Sequence, residues 1–394
     1  MKRRYIFILT LMIVLIIILS GCEIYHEKIS KEDIEDVQED ILEKPQLESI
    51  SVLAAGDIMF HIPQIDSARI GAGEYDFSPV FKYVKKYIQD TDISIANFET
   101  VTVDERKYSG FPRFNSPSTS ILALKDAGFD ILSTANNHCL DQGKQGIIST
   151  LKNIEGTGLK SIGTYDSPQI EPMIEKVKGI EIGLLSYTYG VNGLDSLLSR
   201  EELSYMVNLI DEHKIEEDIA YLKEKDVDII LVFIHWGHEY HREPSNYQVE
   251  LGNKMIQWGA NIIFGSHPHV VQRTEIIEHN GRDNFIIYSM GNFISNQSEH
   301  TMGNPYTEDG VMVKIDIEKD LISGQTAIKI IDYIPTWVYR YREDGKMKYA
   351  ILPVEDVLNG NIGIDLDKTT LLRVEKSYRD TMGTLKDSEV YLSH

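Results

Sequence analysis

The chain has 394 residues, 42% of them hydrophobic, enough for one large domain or two smaller ones with a sizeable core. Its formal net charge of -22 excludes broad binding to nucleic acid, which needs Lys and Arg to neutralise phosphates. The same surface repels anionic lipid and polyanionic polymers, except where a cation or a local basic patch intervenes.

At the N-terminus, "MKRRY" is a positive start and "IFILTLMIVLIIIL" an unbroken apolar run. "LSGC", Leu19 to Cys22, follows and looks like a bacterial lipobox. Residues 1–22 are therefore expected to be a lipoprotein signal peptide, cleaved before Cys22, whose sulfur takes the lipid. An uncleaved membrane anchor is the alternative, and both place the rest of the chain on the extracytoplasmic side of the cell membrane. If Cys22 carries lipid, Cys139 has no intrachain partner and the core itself must stabilise the domain. Residues 23–49 are polar and strongly acidic and read as a tether.

From Ser51 short apolar runs alternate with amphipathic segments. "SVLAAGD", "DISIANFE", "FDILSTANNH", "IEIGLLSYT", "VDIILVFIHWG" and "NIIFGSH" read as strands. Between them "SPVFKYVKKYIQD", "PSTSILALKDAG", "KQGIISTLKNIEGTG", "KIEEDIAYLKEKD" and "NYQVELGNKMIQWGA" read as helices, the first with a Ser-Pro start and the second closed by glycine. Such alternation predicts α/β layers. After Val270 strands dominate, and "HNGRD" marks a hairpin turn. The pattern predicts one α/β domain over 50–355 with a C-terminal β-rich extension, followed by a segment over 356–394 packed on it.

The polar motifs share a position at the ends of expected strands: Asp57, then Asn97 and Glu99, then Asn136, Asn137 and His138, then His235, then His267 and His269. Open α/β sheets bind ligands outside the carboxyl ends of their strands. Imidazole with carboxylate and amide oxygen suits one or two divalent ions, and a metal pair can activate a shared water and clamp an oxyanion. In "SHPH" two histidines two residues apart project to one side if the segment is extended, and Pro268 keeps it out of helix. Singly, each motif also has a plain structural role: "GD" a turn, "NFET" a strand end, "HWG" a half-buried His beside Trp236. Cys139 reads as a small buried hydrophobe.

"AAGDIMF", "ANFET", "ANNHCLDQGKQGIISTL", "IHWGHEY", "GSHPHVVQ" and "IIYSMGNF" together resemble, in order, the motif set of the CapA family of poly-γ-glutamate capsule biosynthesis proteins. The resemblance runs from about Ser51 to Phe293 and implies a calcineurin-like metallophosphatase fold, a four-layer α/β/β/α sandwich with a metal centre at one edge. It implies metal ligands at Asp57, Glu99, Asn137, His235, His267 and His269, holding one or two ions of Mn, Fe or Zn, with His138 as the catalytic residue that orients or protonates the reacting group. Metallophosphatases usually begin with Asp-x-His, and here Met59 stands at the His position; their bridging Asp is replaced by Glu99 or Asn97. Asn97, Glu239 and Arg113 are candidates for substrate binding, Glu239 equally for helix-start packing and Arg113 equally for a solvated loop. The expected function is capsule or poly-γ-glutamate production through a metal-dependent hydrolase site, acting on a phosphoester or an anionic polymer. The alternative is a non-catalytic surface component beside membrane proteins of a polymer synthesis complex.

Overall fold

Ile, Val, Phe and Ala dominate the apolar runs, and such runs are stable as strands only when both faces are covered. In the computed structural model, which describes residues 46–386, the strands follow in chain order. They are β1 (Leu47–Ile58), β2 (Ile93–Phe98), β3 (Ile131–Ser133), β4 (Lys160–Ile162), β5 (Met173–Val177), β6 (Ile180–Thr188) and β7 (Ile229–His235). Then come β8 (Ile262–Ser266), β9 (Thr274–His279), β10 (Arg282–Ile287), β11 (Asn292–Ile294), β12 (Asp309–Asp320), β13 (Thr326–Glu343) and β14 (Lys346–Pro353).

One sheet has the order β14-β13-β12-β1-β2-β3-β4, with β11 also paired to β1. Its β1 to β4 are parallel, and β12 to β14 form an antiparallel meander on the other side of β1. The second sheet has the order β5-β6-β7-β8-β10-β9, parallel from β6 to β10 with antiparallel edge strands.

Alternation along each strand assigns its two faces. Val52 and Ala54 of β1 and Leu231 and Phe233 of β7 belong to one core between the sheets. Leu53 and Ala55 face instead a layer that includes Phe81, Ile121, Leu124 and Ile154. Ile230, Val232 and Ile234 face Ile215, Ile219, Leu251 and Met255. The result is helix, sheet, sheet, helix: the α/β/β/α sandwich expected from the motifs. Each fully buried Leu, Ile or Phe contributes roughly 1.5–3 kcal/mol of apolar transfer.

Local signals behave as their chemistry requires. The helix Thr119–Ala127 closes on Gly128 at φ 113°, a conformation in which a Cβ would be strained. The helix Asn246–Trp258 opens with a capping box between Ser245 and Gln248.

Four boundaries differ from expectation. "SPVFKYVKKYIQD" forms a 3-10 turn at Ser78–Phe81 and a short helix at Lys85–Gln89, although Val80, Phe81, Val84 and Ile88 keep helical spacing and are buried. β1 begins inside the stretch expected as tether, because Leu47 onward pairs with β12 up to Asp320. β3 stops at Ser133 because Asn136 captures the next backbone: its carbonyl accepts from Cys139 N–H and its side chain from His138 N–H. Near the C-terminus the helix Val354–Leu358 straddles the expected boundary, and the helix Lys368–Lys386 packs on the body through Val374 and Leu385. The segment expected to be a signal peptide, Cys22, most of the segment expected to be a tether and the last residues lie outside the described residues.

Candidate metal centre

The parallel strands of both sheets end at one shared edge. β1 delivers Asp57, β2 Asn97 and, just beyond, Glu99, and the loop after β3 delivers Asn137 and His138. From the second sheet β7 delivers His235, and the bend after β8 delivers His267 and His269. Asp57, Asn97 and Glu99 are fully buried, and His235 is 1% exposed. Gly56 makes the approach to β11 possible: a Cβ there would lie 2.0 Å from the Gly291 carbonyl oxygen.

The "HPH" segment reaches the edge by a different route from the one expected. It is a bend rather than an extended strand, with His267 at φ 97° and His269 at φ 58°. Both angles lie in the left-handed region that disfavours a Cβ. Asp57 offsets that strain, accepting from the His267 backbone N–H at 3.3 Å and from His269 Nδ1 at 3.1 Å.

Two ligand groups overlap here. Glu99, His267 and His269 form one, and Asp57, Glu99 and His235 the other; in each, one ligand atom per residue lies within 4.8 Å of the rest. Glu99 is common to both, so it would hold the position between two ions. Asn97 does not: its amide N–H donates to Asp57 Oδ1 at 2.8 Å, and its oxygen accepts from Asn136 at 3.3 Å. It holds the carboxylates in place and has no surface for a substrate. Asn137 Oδ1 lies 3.0 Å from His235 Nε2, which is itself 3.6 Å from Glu99 Oε1.

The donor set fits a divalent cation. Glu99 Oε1 and His267 Nδ1 are buried and have no hydrogen-bond partner. Burial, with the charge of Asp57 next, pushes the Glu99 carboxyl well above the usual carboxylate range. Burial, then neighbouring histidines, holds His235 and His267 well below the usual imidazole range, so both rings are neutral, the form in which imidazole can take a metal. Two buried carboxylates with no Lys or Arg against them among the described residues cost several kcal/mol when both are ionised, unless a cation is supplied. Imidazole, carboxylate and amide oxygen are the ligands Mn, Fe or Zn would take.

His138 stands beside this group. Its Nδ1 is 2.7 Å from Asp141 Oδ2, and the same oxygen accepts from the Phe114 backbone N–H at 2.6 Å. The Phe114 and His138 rings meet edge to face at 4.7 Å. A cavity of about 280 Å³ opens over His138 and His269, lined also by Met59, His61 and Glu239. Met59, at the position where His is usual, is 1% exposed and is part of the cavity lining. Arg113 is exposed and is not part of the lining.

Reasoning from sequence missed three contributors. Asn292, in the "MGNF" motif, accepts from His269 Nδ1 at 3.1 Å and shares that proton with Asp57. His61 lines the cavity, and burial lowers its pKa to about 4. Tyr189 packs its ring 4.5 Å from that of His267. The "MGNF" match was a usable signal for Asn292; nothing local marks the other two.

Residues 51–297 match the profile of a family described as bacterial capsule synthesis protein PGA_cap. The chain is 27% identical over 300 residues to the capsule biosynthesis protein CapA of Bacillus anthracis, covering 73% of this chain and 67% of that protein. It is 30% identical over 254 residues to the PGA biosynthesis protein CapA of Bacillus subtilis (strain 168), covering 61% of this chain and 62% of that one. A crystal structure of a novel phosphatase from Mycoplasma pneumoniae aligns with a TM-score of 0.45 at 13% identity, over 74% of this chain and 94% of that one.

Proposed function

The chain belongs to this bacterial capsule synthesis family, and from that premise we propose that it acts in building an extracellular polymer as a metal-dependent hydrolase of phosphoesterase type. In this reading a lipid on Cys22 holds it at the extracytoplasmic face of the cell membrane. The names of the two Bacillus relatives, capsule and PGA biosynthesis, support the polymer role. The observation that carries the hydrolase reading is the pair of ligand groups sharing Glu99 beside the His138–Asp141 pair.

A divalent cation held by Asp57, Glu99, Asn137, His235, His267 and His269 would supply Lewis-acid polarisation of the attacked group. Around it the side chains hold protons where they are needed. Asp57 and Asn292 both accept from His269 Nδ1, which fixes the ring with His269 Nε2 3.9 Å from Glu99 Oε1. Asn97 fixes Asp57 in that orientation. Asp141 accepts from His138 Nδ1, which fixes the ring and leaves Nε2 to protonate a leaving oxygen.

Met59 favours a second reading, a non-catalytic surface component working with membrane proteins of a polymer synthesis complex. His138→Ala separates the two. The enzyme reading expects hydrolysis of a chromogenic phosphodiester to fall by about 10²–10⁴-fold with metal content unchanged. Unchanged hydrolysis, or normal polymer output from cells carrying the variant, sinks it.

A further inference from the structure

The cavity over the metal centre has an unusual charge balance. Among the described residues no Lys or Arg lines it. Sites that hold phosphate or carboxylate through protein groups alone normally use those residues. The lining has instead one carboxylate, Glu239, together with amide, hydroxyl and imidazole groups and the apolar surfaces of Phe111, Phe114 and Met302.

Glu239 is set in place by its neighbours. Tyr240 hydrogen-bonds to it, the Tyr240 hydroxyl accepts from Gln297 at 3.3 Å, and the Tyr240 backbone N–H donates to the Pro268 carbonyl at 2.8 Å. Pro268 lies between the two histidines of the "HPH" bend, so the loop carrying Glu239 is tied to the candidate ligands. Tyr240 takes φ 67°, an unfavourable value that these bonds maintain. Glu239 forms no ion pair among the described residues, and its charge reaches Glu99. Phe111, 75% exposed, and Tyr240 add aromatic surface of the kind that attracts ammonium groups.

We infer that this cavity takes the ammonium end of a small zwitterionic phosphoester, with Glu239 as the specificity-determining residue and the metal side receiving the phosphate. The inference rests on the metal-centre reading proposed above. A polyanion has no counter-charge in these walls beyond the metal centre, and the net charge of -22 repels it further. At about 280 Å³ the cavity lies near the lower end for small-molecule sites, which suits a single head group and not a polymer segment.

The test compares two phosphate monoesters that differ by a quaternary ammonium. Phosphocholine and methyl phosphate are titrated calorimetrically into the full-length, Mn-loaded protein, and hydrolysis of both is followed separately. Phosphocholine is expected to bind roughly five- to tenfold more tightly, the size of a partly exposed cation–carboxylate contact with an aromatic neighbour. In Glu239→Gln the two probes should bind alike. Equal affinities in the unaltered protein, a preference that survives Glu239→Gln, or no binding of either probe overturns the inference. A preference lost in the variant without hydrolysis of any phosphoester upholds it and overturns the hydrolase reading alone.

Discussion

Two places in this molecule bury a pair of carboxylates, and they resolve the cost in opposite ways. At the strand-end edge, Asp57 and Glu99 are surrounded by histidine and asparagine and, among the described residues, by no Lys or Arg. Beneath the C-terminal helix, Glu308 and Asp309 are met by guanidinium groups. Arg373 Nη2 lies 2.8 Å from Asp309 and 3.4 Å from Glu308, and Arg340 lies 3.2 Å from Glu308. Trp337 Nε1 also donates to Glu308 at 3.2 Å. Unpartnered atoms occur in both places, Asp309 Oδ2 as well as Glu99 Oε1, so these alone do not separate them. The counter-charge does. Where the chain supplies its own cation, the cluster fastens a helix to the body. Where it supplies only neutral donors, the charge is relieved by a proton on Glu99 or by a bound cation, and the ligand groups there fit a cation.

The strongest way to break this contrast is at the shared carboxylate. Glu99→Gln should lower affinity for Mn by at least about a hundredfold, more than the loss of an outer partner of a metal ligand. Metal content after gel filtration measures it, and an unchanged ratio of ion to protein would put Glu99 outside the centre. The arginine side comes next. Arg373→Ala leaves Glu308 and Asp309 buried with one guanidinium fewer, and should cost about 3–5 kcal/mol in denaturant unfolding while metal content stays the same. Loss of metal in that variant would mean that the two clusters are coupled.

The smallest effect is a matter of pH. Burial raises Asp309 from 3.8 to about 6 despite the attraction of Arg373. Below both values the carboxyl is protonated whether the chain is folded or not. As the pH rises through that window the unfolded chain releases the proton first, so ionisation of Asp309 costs folded-state stability. Asp309→Asn keeps an oxygen for Arg373 and does not titrate. Its stability relative to the unaltered protein should therefore grow between pH 4 and pH 7, by up to about 3 kcal/mol. A flat or falling difference would show that Arg373 outweighs burial.

Much of the architecture is legible locally. Runs such as "IILVFIH" and "NIIFG" have the length and composition of covered strands, and each becomes one. The ligand-type residues stand at their ends because side chains that take a metal cannot share the apolar interior of the sheet. Where sequence reasoning failed, a distant group had redirected the chain. The "HPH" segment bends because Asp57, 210 and 212 residues away, takes the backbone N–H of His267 and the ring of His269. Asn97, a candidate for substrate, is enclosed by Asp57 and Asn136. Arg113 stays in solvent, while Asp141 draws in the backbone N–H of the next residue, Phe114.

By itself, then, the sequence determined the strands, the order of the motifs and the residue types that reach the edge, because periodicity and composition act over a few residues. Only the tertiary structure decided that two sheets share that edge. It brought His235 within 3.0 Å of Asn137 across 98 residues, and it set Glu239 rather than Arg113 in the cavity wall. Those outcomes depend on how the inner faces of the two sheets pack, and no short stretch of chain carries that information.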